Sequence, residues 1–211
     1  MLQNISLFIK NIKNIENTPI PKIIWTYWDN INIPKNIQVC IDSWNKYNPD
    51  YEIIILNDNI LKYYLDNFDL SYLKQKKYSS ARISDFIRLN VLSKYGGIWS
   101  DASIICNKSY NWVNDLQKEH NSEFIGFYLD GFTLQELKNK SPVIESWFLA
   151  CVKNSKFIND WKNEFKNIYN YNEDQIENYI IELEKNQNIN LQKITGKKYL
   201  AIHCEIGRAH V

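Results

Sequence analysis

Ser79-Ser80-Ala81-Arg82-Ile83-Ser84-Asp85-Phe86-Ile87-Arg88-Leu89-Asn90-Val91-Leu92-Ser93-Lys94-Tyr95-Gly96-Gly97-Ile98-Trp99-Ser100-Asp101-Ala102-Ser103 reads as a helix, a break and a strand. Ser79 or Ser80 caps the helix, because a short hydroxyl side chain can accept from the free N–H groups of a first turn. Ile83, Phe86, Ile87 and Val91 form part of its apolar face, with Leu92 at the edge. Lys94 and Gly96 mark its end. The strand, expected over Ile98–Ile105, delivers a carboxylate, Asp101. Inside a strand buried on both faces that carboxylate is costly unless it sits at the end or is paired.

Outward from this run, the chain alternates strands and helices. Lys22–Trp28 is a buried strand rich in β-branched and aromatic residues. Pro34 opens a helix with Ile37, Cys40, Ile41 and Trp44 on one face, and Tyr51–Leu56 is a second, continuously apolar strand. Together they make a βαβ unit with an expected right-handed crossover. Short helices are expected over Ile60–Asn67 and, as helix or loop, Asn111–Asn121. A strand is expected over Phe124–Leu129, turning at Asp130-Gly131. Pro142 reads as a helix start, with Ile144, Trp147, Phe148 and Cys151 at helical spacing. Phe157–Tyr169 and Asp174–Lys185 read as further helices and Lys193–Ala201 as a last strand. The alternation predicts a three-layer α/β/α domain with a mostly parallel central sheet.

At 211 residues the chain can bury one substantial core. Its 25 basic and 24 acidic residues nearly cancel, which argues against nucleic-acid binding through a basic face. The aromatic content suits either core packing or stacking on sugars and bases. Cys40, Cys106, Cys151 and Cys204 are far apart and form no zinc-type spacing, so they are expected to be buried thiols in a reducing compartment. No apolar run is long enough to span a bilayer, and Met1–Asn17 lacks the pattern of a signal peptide. Residues 1–18 are expected to form a helical extension docked on the domain. Lys10 and Lys13 leave room for a peripheral contact with an anionic membrane surface. The closing Ile206-Gly207-Arg208-Ala209-His210-Val211 matches a translated frame of a common sequencing adapter. It is expected to be a non-native tail on a domain of residues 19–205 that continues further in nature, so Arg208 and His210 receive no role.

The chemistry concentrates on the opening run. In open α/β sheets ligands bind beyond the carboxyl ends of strands, where Asp101 is placed. Its carboxylate can hold a hard divalent cation together with diphosphate oxygens and water. Arg82, Asp85 and Arg88 recur every third residue on one drifting stripe of the helix. Two readings stand open for them: Arg88 gripping phosphate bidentately with Asp85 accepting from sugar hydroxyls, or a structural ion pair. Gly96 and Gly97 have a sufficient role as helix terminator and tight turn.

The Ala81-Arg82…Ser84-Asp85…Arg88…Tyr95-Gly96-Gly97…Trp99…Asp101-Ala102 pattern resembles the core of the DxD glycosyltransferases, in particular the capsular-polysaccharide-synthesis type. Ile20-Pro21-Lys22-Ile23-Ile24-Trp25-Thr26-Tyr27-Trp28 resembles the opening strand of the same families, and Ser141–Ala150 resembles a segment of the capsular family. The likeness spans about residues 19–165. It implies a GT-A-like fold and transfer of a sugar from a UDP- or GDP-sugar to a glycan hydroxyl in capsule or surface-polysaccharide synthesis. A retaining outcome and Mn²⁺ or Mg²⁺ are also implied, while the thiols make the expected place cytoplasmic and Lys10 and Lys13 leave room for a peripheral contact at the inner face of the membrane. The resemblance puts Trp25, Thr26, Tyr27, Arg82, Asp85, Arg88 and Asp101 on the donor, with Tyr27 or Trp28 stacking on the base. It puts Asp101 and Ser103 on the metal and Glu145 and Trp147 on the acceptor side. Ser103 stands where such families place a second acid, so a donor-binding pseudoenzyme is the alternative. An interaction module would instead lack a pocket beside Asp101 and pair that residue with a structural arginine.

Overall fold

The computed structural model describes residues 5–11, 18–186, 191–196 and 198–204. Six strands form one sheet: β1 (Ile5–Asn11), β2 (Ile23–Tyr27), β3 (Glu52–Leu56), β4 (Gly97–Ser100), β5 (Ser122–Leu129) and β6 (Ile144–Cys151). Their order is β1-β5-β6-β4-β2-β3. β2 lies parallel to both β3 and β4, whereas β4–β6, β5–β6 and β1–β5 are antiparallel. The sheet is therefore mixed, with two parallel and three antiparallel pairings, and not mostly parallel as the alternation of elements suggested.

Helices cover both faces: α1 (Lys35–Tyr47), α2 (Leu61–Tyr64), α3 (Leu70–Gln75), α4 (Ser80–Tyr95), α5 (Asn111–His120), α6 (Lys156–Phe165) and α7 (Ile176–Asn186). Side chains alternate across the central strands and sort the core into two layers. Trp25, Trp99, Leu149 and Cys151 join the apolar residues of α4, α6 and α7. Ile24, Ile98, Phe148 and Ala150 join those of α1 and Val113 of α5. The three-layer arrangement holds, and all four cysteines are buried and form no disulfide.

Two expected helices are strands. Ile5–Asn11 forms β1, adding an edge to β5 with Ile5 opposite Leu129, so the helical extension is corrected over these residues. The segment after Pro142 forms β6, which runs between β4 and β5. Phe148–Cys151 is buried on both faces, so apolar periodicity cannot separate strand from helix there. Lys193–Ala201 forms no strand among its described residues, and Ala201–Cys204 is a helical turn. The motif strand ends at Ser100 and does not run on to Ile105. Residues 206–211 lie outside the described residues.

The N-terminus of α6 rests on a buried carboxylate. Glu123 of β5 accepts from the Ser155 hydroxyl at 2.8 Å and the Phe157 N–H at 3.2 Å. A carboxylate here meets free amide donors and the positive end of the helix dipole. Glu123→Ala is expected to lower stability by about 2 kcal/mol by leaving those donors without an acceptor. Glu123→Gln, which keeps an acceptor oxygen, should lose less. Calorimetric melting of the two variants checks the ranking.

Candidate active site

α4 begins where Ser79 accepts from the Arg82 N–H with its hydroxyl and ends at Gly96, as the sequence predicts. Its first half faces a cavity of about 360 Å³ at the carboxyl ends of β2 and β4. Tyr27, Trp28 and Asp29 line it from the end of β2, and Asp101, Ala102 and Ser103 from the end of β4. Arg82, Asp85 and Arg88 line it from α4, Ser146 from β6, and Glu173, Tyr199 and His203 from the C-terminal part.

Asp101 is held from two sides through one oxygen. Oδ1 accepts from Arg88 Nη2 at 2.8 Å and from Trp99 Nε1 at 2.7 Å. Trp99 and Asp101 are two residues apart on a strand and so share a face. That face looks at α4, where the Arg88 guanidinium lies over the Trp99 ring, 5.0 Å from its centroid. The backbone of Asp101 is fixed as well, its N–H donating to the Trp147 carbonyl at 2.9 Å.

Arg88 is 3 % exposed and its fork is already engaged: Nη1 donates to Asp85 Oδ1 at 2.7 Å while Nη2 holds Asp101. Arg82 donates to the Lys198 carbonyl and stands 3.5 Å from Asp85 and 3.7 Å from Glu173. The stripe forms an ion-pair network in this structure. Nη1 and Nη2 of Arg88 each give one donor to a carboxylate, and its buried Nε has no hydrogen-bond partner. Burial pushes the Asp85 carboxyl above the usual carboxylate range, against the pull of Arg88 and then Arg82. A carboxyl so placed depends on both guanidiniums to stay ionised.

The first-strand residues divide. Tyr27 reaches the cavity, and its hydroxyl donates to Asp58 Oδ1 at 2.5 Å. Burial and then that carboxylate push the phenol well above its usual range, so it acts as a neutral group. Trp28 and Asp29 are beside it, Asp29 accepting from the Ser80 hydroxyl at 2.7 Å. Trp25 does not reach the cavity. It is a core residue whose indole N–H donates to the Gly96 carbonyl at 2.9 Å and whose ring packs against Tyr64 and Tyr95. Thr26 is wholly buried outside the cavity, its hydroxyl without a hydrogen-bond partner.

On the other wall, Trp147 stacks on Phe127 with ring centroids 5.2 Å apart and does not line the cavity. Glu145 is not a lining residue either, but its carboxylate stands 3.7 Å from Nε2 of His203, which is. His203 is buried and neither ring nitrogen has a hydrogen-bond partner. Sequence reasoning passed over Trp99, Asp29 and His203. The i, i+2 spacing of Trp99 and Asp101 was a usable signal, while His203 arrives only through tertiary packing, its neighbour Ile202 accepting from Trp161 Nε1 at 2.9 Å.

The chain matches the capsular polysaccharide synthesis protein family over residues 3–202 and belongs to it. It is 24% identical over 166 residues to the O-glycosyltransferase braB of Annulohypoxylon truncatum, covering 70% of this chain and 38% of that protein. It is 26% identical over 136 residues to inositol phosphoceramide mannosyltransferase 3 of Schizosaccharomyces pombe (strain 972 / ATCC 24843), covering 59% of this chain and 38% of that one. The chain thus spans well under half the length of these relatives. Among solved structures it is similar to the PaToxG glycosyltransferase, with a TM-score of 0.42 at 20% identity over 92% of this chain and 87% of that one.

Proposed function

We propose that the chain carries the donor site of a glycosyltransferase with a GT-A-like fold, moving a sugar from a nucleoside-diphosphate sugar to a glycan hydroxyl in surface-polysaccharide synthesis. The observation that carries this reading is the clamped Asp101 at the carboxyl end of β4, on the wall of a cavity that also takes in Tyr27, Trp28, Arg82 and Ser103. An interaction module would pair Asp101 with an arginine, as Arg88 does, but would have no cavity there. The names of the two fungal relatives, an O-glycosyltransferase and a mannosyltransferase, support the same class.

The residues fit a divalent cation that arrives with its substrate rather than one caged by protein. Among the described residues no three His, Cys, Asp or Glu side chains cluster as a metal site. One carboxylate beside one hydroxyl, Asp101 and Ser103, suits Mg²⁺ or Mn²⁺, which draw their other ligands from diphosphate and water. Such an ion would offset the charge gathering on the departing nucleoside diphosphate. The chain's own part is placement. Trp28 and the neutral Tyr27 offer rings to the base, and Arg88 and Trp99 fix the Asp101 carboxylate. Arg82 and Arg88 set a positive field behind the diphosphate without surrendering their carboxylate partners. The sugar's bond to phosphate breaks as an acceptor oxygen bonds to the same carbon, and the acceptor's proton passes to the departing diphosphate. On this reading the acceptor side belongs to His203, which lines the cavity with Glu145 3.7 Å behind it.

Thermal melting with UDP or GDP, each with Mn²⁺ or with EDTA, tests the reading. A ligand at a hundred times its Kd stabilises by about 2.7 kcal/mol. Metal-dependent stabilisation by one nucleotide is expected, with Asp101→Asn weakening that affinity roughly 10- to 100-fold. Stabilisation without subsequent sugar transfer would favour the pseudoenzyme alternative that Ser103 suggests. Equal melting under every condition would overturn the donor site.

A further inference from the structure

A second cavity, of about 630 Å³, lies at the other end of α4 and shares no lining residue with the first. Ser93 of its wall is eight residues beyond Asp85, about 12 Å along the helix axis. Three lysines line it, Lys94, Lys162 and Lys166, against a single acid, Asp66. Lys94 takes that acid at 2.8 Å.

Lys162 and Lys166 pair with no carboxylate among the described residues. The half-buried Lys162 ammonium donates only to neutral groups, Ser93 Oγ at 2.5 Å and Asn159 Oδ1 at 3.2 Å. Ser93 in turn donates to the same Asn159 oxygen at 2.6 Å, so the ammonium is aimed by a fixed network. Burial and then the charge of Lys166 hold Lys162 below the usual lysine range. A cation set in a partly dry wall with a second cation beside it and no counter-charge is an arrangement that an anion relieves.

The rest of the lining narrows the anion. Asn67 and Asn154 present carboxamides, which donate to and accept from hydroxyls. Phe68 and Tyr169, packed against the core on one side, add aromatic surface to the lining. The volume is several times that of a lone oxyanion. We propose that this cavity binds an acidic saccharide, its anionic group on Lys162 and Lys166 and its hydroxyls on the carboxamides. It would hold a charged stretch of glycan away from the transfer site. The choice of a saccharide over other organic anions rests partly on the polysaccharide reading above, and the binding geometry does not.

Isothermal titration of the full chain with a heparosan tetrasaccharide, which carries glucuronates, tests the proposal against maltotetraose and inorganic phosphate. The acidic tetrasaccharide is expected to bind at least tenfold more tightly than either. Lys162→Gln and Lys166→Gln should each weaken it tenfold or more while leaving the melting temperature and the UDP–Mn²⁺ shift unchanged. Absence of binding, equal binding of maltotetraose or phosphate, indifference to both lysine variants, or displacement by UDP–Mn²⁺ would each overturn it. If the acidic saccharide binds as expected but no nucleotide shifts the melt, the transferase reading fails and this site stands.

Discussion

Gly96→Ala and Gly97→Ala are each expected to cost about 3–5 kcal/mol of stability and to lower the melting temperature by about 10 °C. Gly96 has φ +68° and Gly97 φ +98°, where an L side chain is strained by roughly 1–2 kcal/mol. Space is the larger problem. A Cβ on Gly96 would lie 2.5 Å from the Lys153 nitrogen and 2.8 Å from the Val152 carbonyl carbon, and one on Gly97 would lie 2.8 Å from the Ile23 oxygen. These neighbours are backbone of the sheet and its connections and cannot swing aside. The double glycine therefore lets α4 stop and β4 start within van der Waals reach of β2 and the end of β6. The close approach brings the Asp101 end of β4 under the first half of α4. Gly131→Ala is the control. No heavy atom lies within 4 Å of its added Cβ, and its melting temperature should stay within about 2 °C of the parent. Chain entropy alone would favour alanine at each position, so equal losses at all three glycines would show that the cost does not come from these close contacts.

The parts of the fold legible in the sequence are those whose signals are local. The cap at Ser79, the stop at Gly96 and the apolar stripe of α4 are each written within a few residues, and the structure has all three. β1 and β6 were misread because their identity is set by partners distant in the chain. Ile144, Trp147, Phe148 and Cys151 stand at helical spacing, yet their segment fills the gap between β4 and β5, where both faces are covered. β1 buries little beyond Phe8 and exists as a strand because β5 offers it an open edge. The parallel pairing of β2 with β3 could be read from the βαβ pattern, but the antiparallel pairings of β1, β5 and β6 have no such signature. The site divides the same way. The Arg82–Asp85–Arg88 stripe follows from helical geometry, and the structure gives its i, i+3 contacts. The second use of Arg88, on Asp101, depends on the angle at which α4 meets β4. No spacing in the sequence encodes that angle, and it turns an apparent phosphate fork into a clamp.

That clamp sets the second large effect. Arg88→Ala is expected to cost about 3–5 kcal/mol, because removing one partner of a buried ion pair leaves the other charge desolvated and uncompensated. The loss falls mainly on Asp85, whose side chain is 11% exposed, and less on Asp101 at 35%. Arg88→Lys should recover little, since a point ammonium cannot span two carboxylates as the planar fork does. The double variant Arg88→Met/Asp85→Met separates stability from function. It removes the stranded charge together with its partner and fills the space with apolar atoms, while Arg82 keeps Glu173 at 3.7 Å and the Lys198 carbonyl. Most of the lost stability should return, giving a coupling energy of about 1–3 kcal/mol in the double-mutant cycle. Metal-dependent nucleotide binding should not return with it. Asp101 would then be held only by Trp99, and the positive field behind the diphosphate would be halved. A double variant that melts like the parent and binds nucleotide like the parent would reduce Arg88 to a structural ion pair. One that melts like the parent and has lost the nucleotide shows that the Arg88–Asp85 pair serves the donor site and is not needed for the fold.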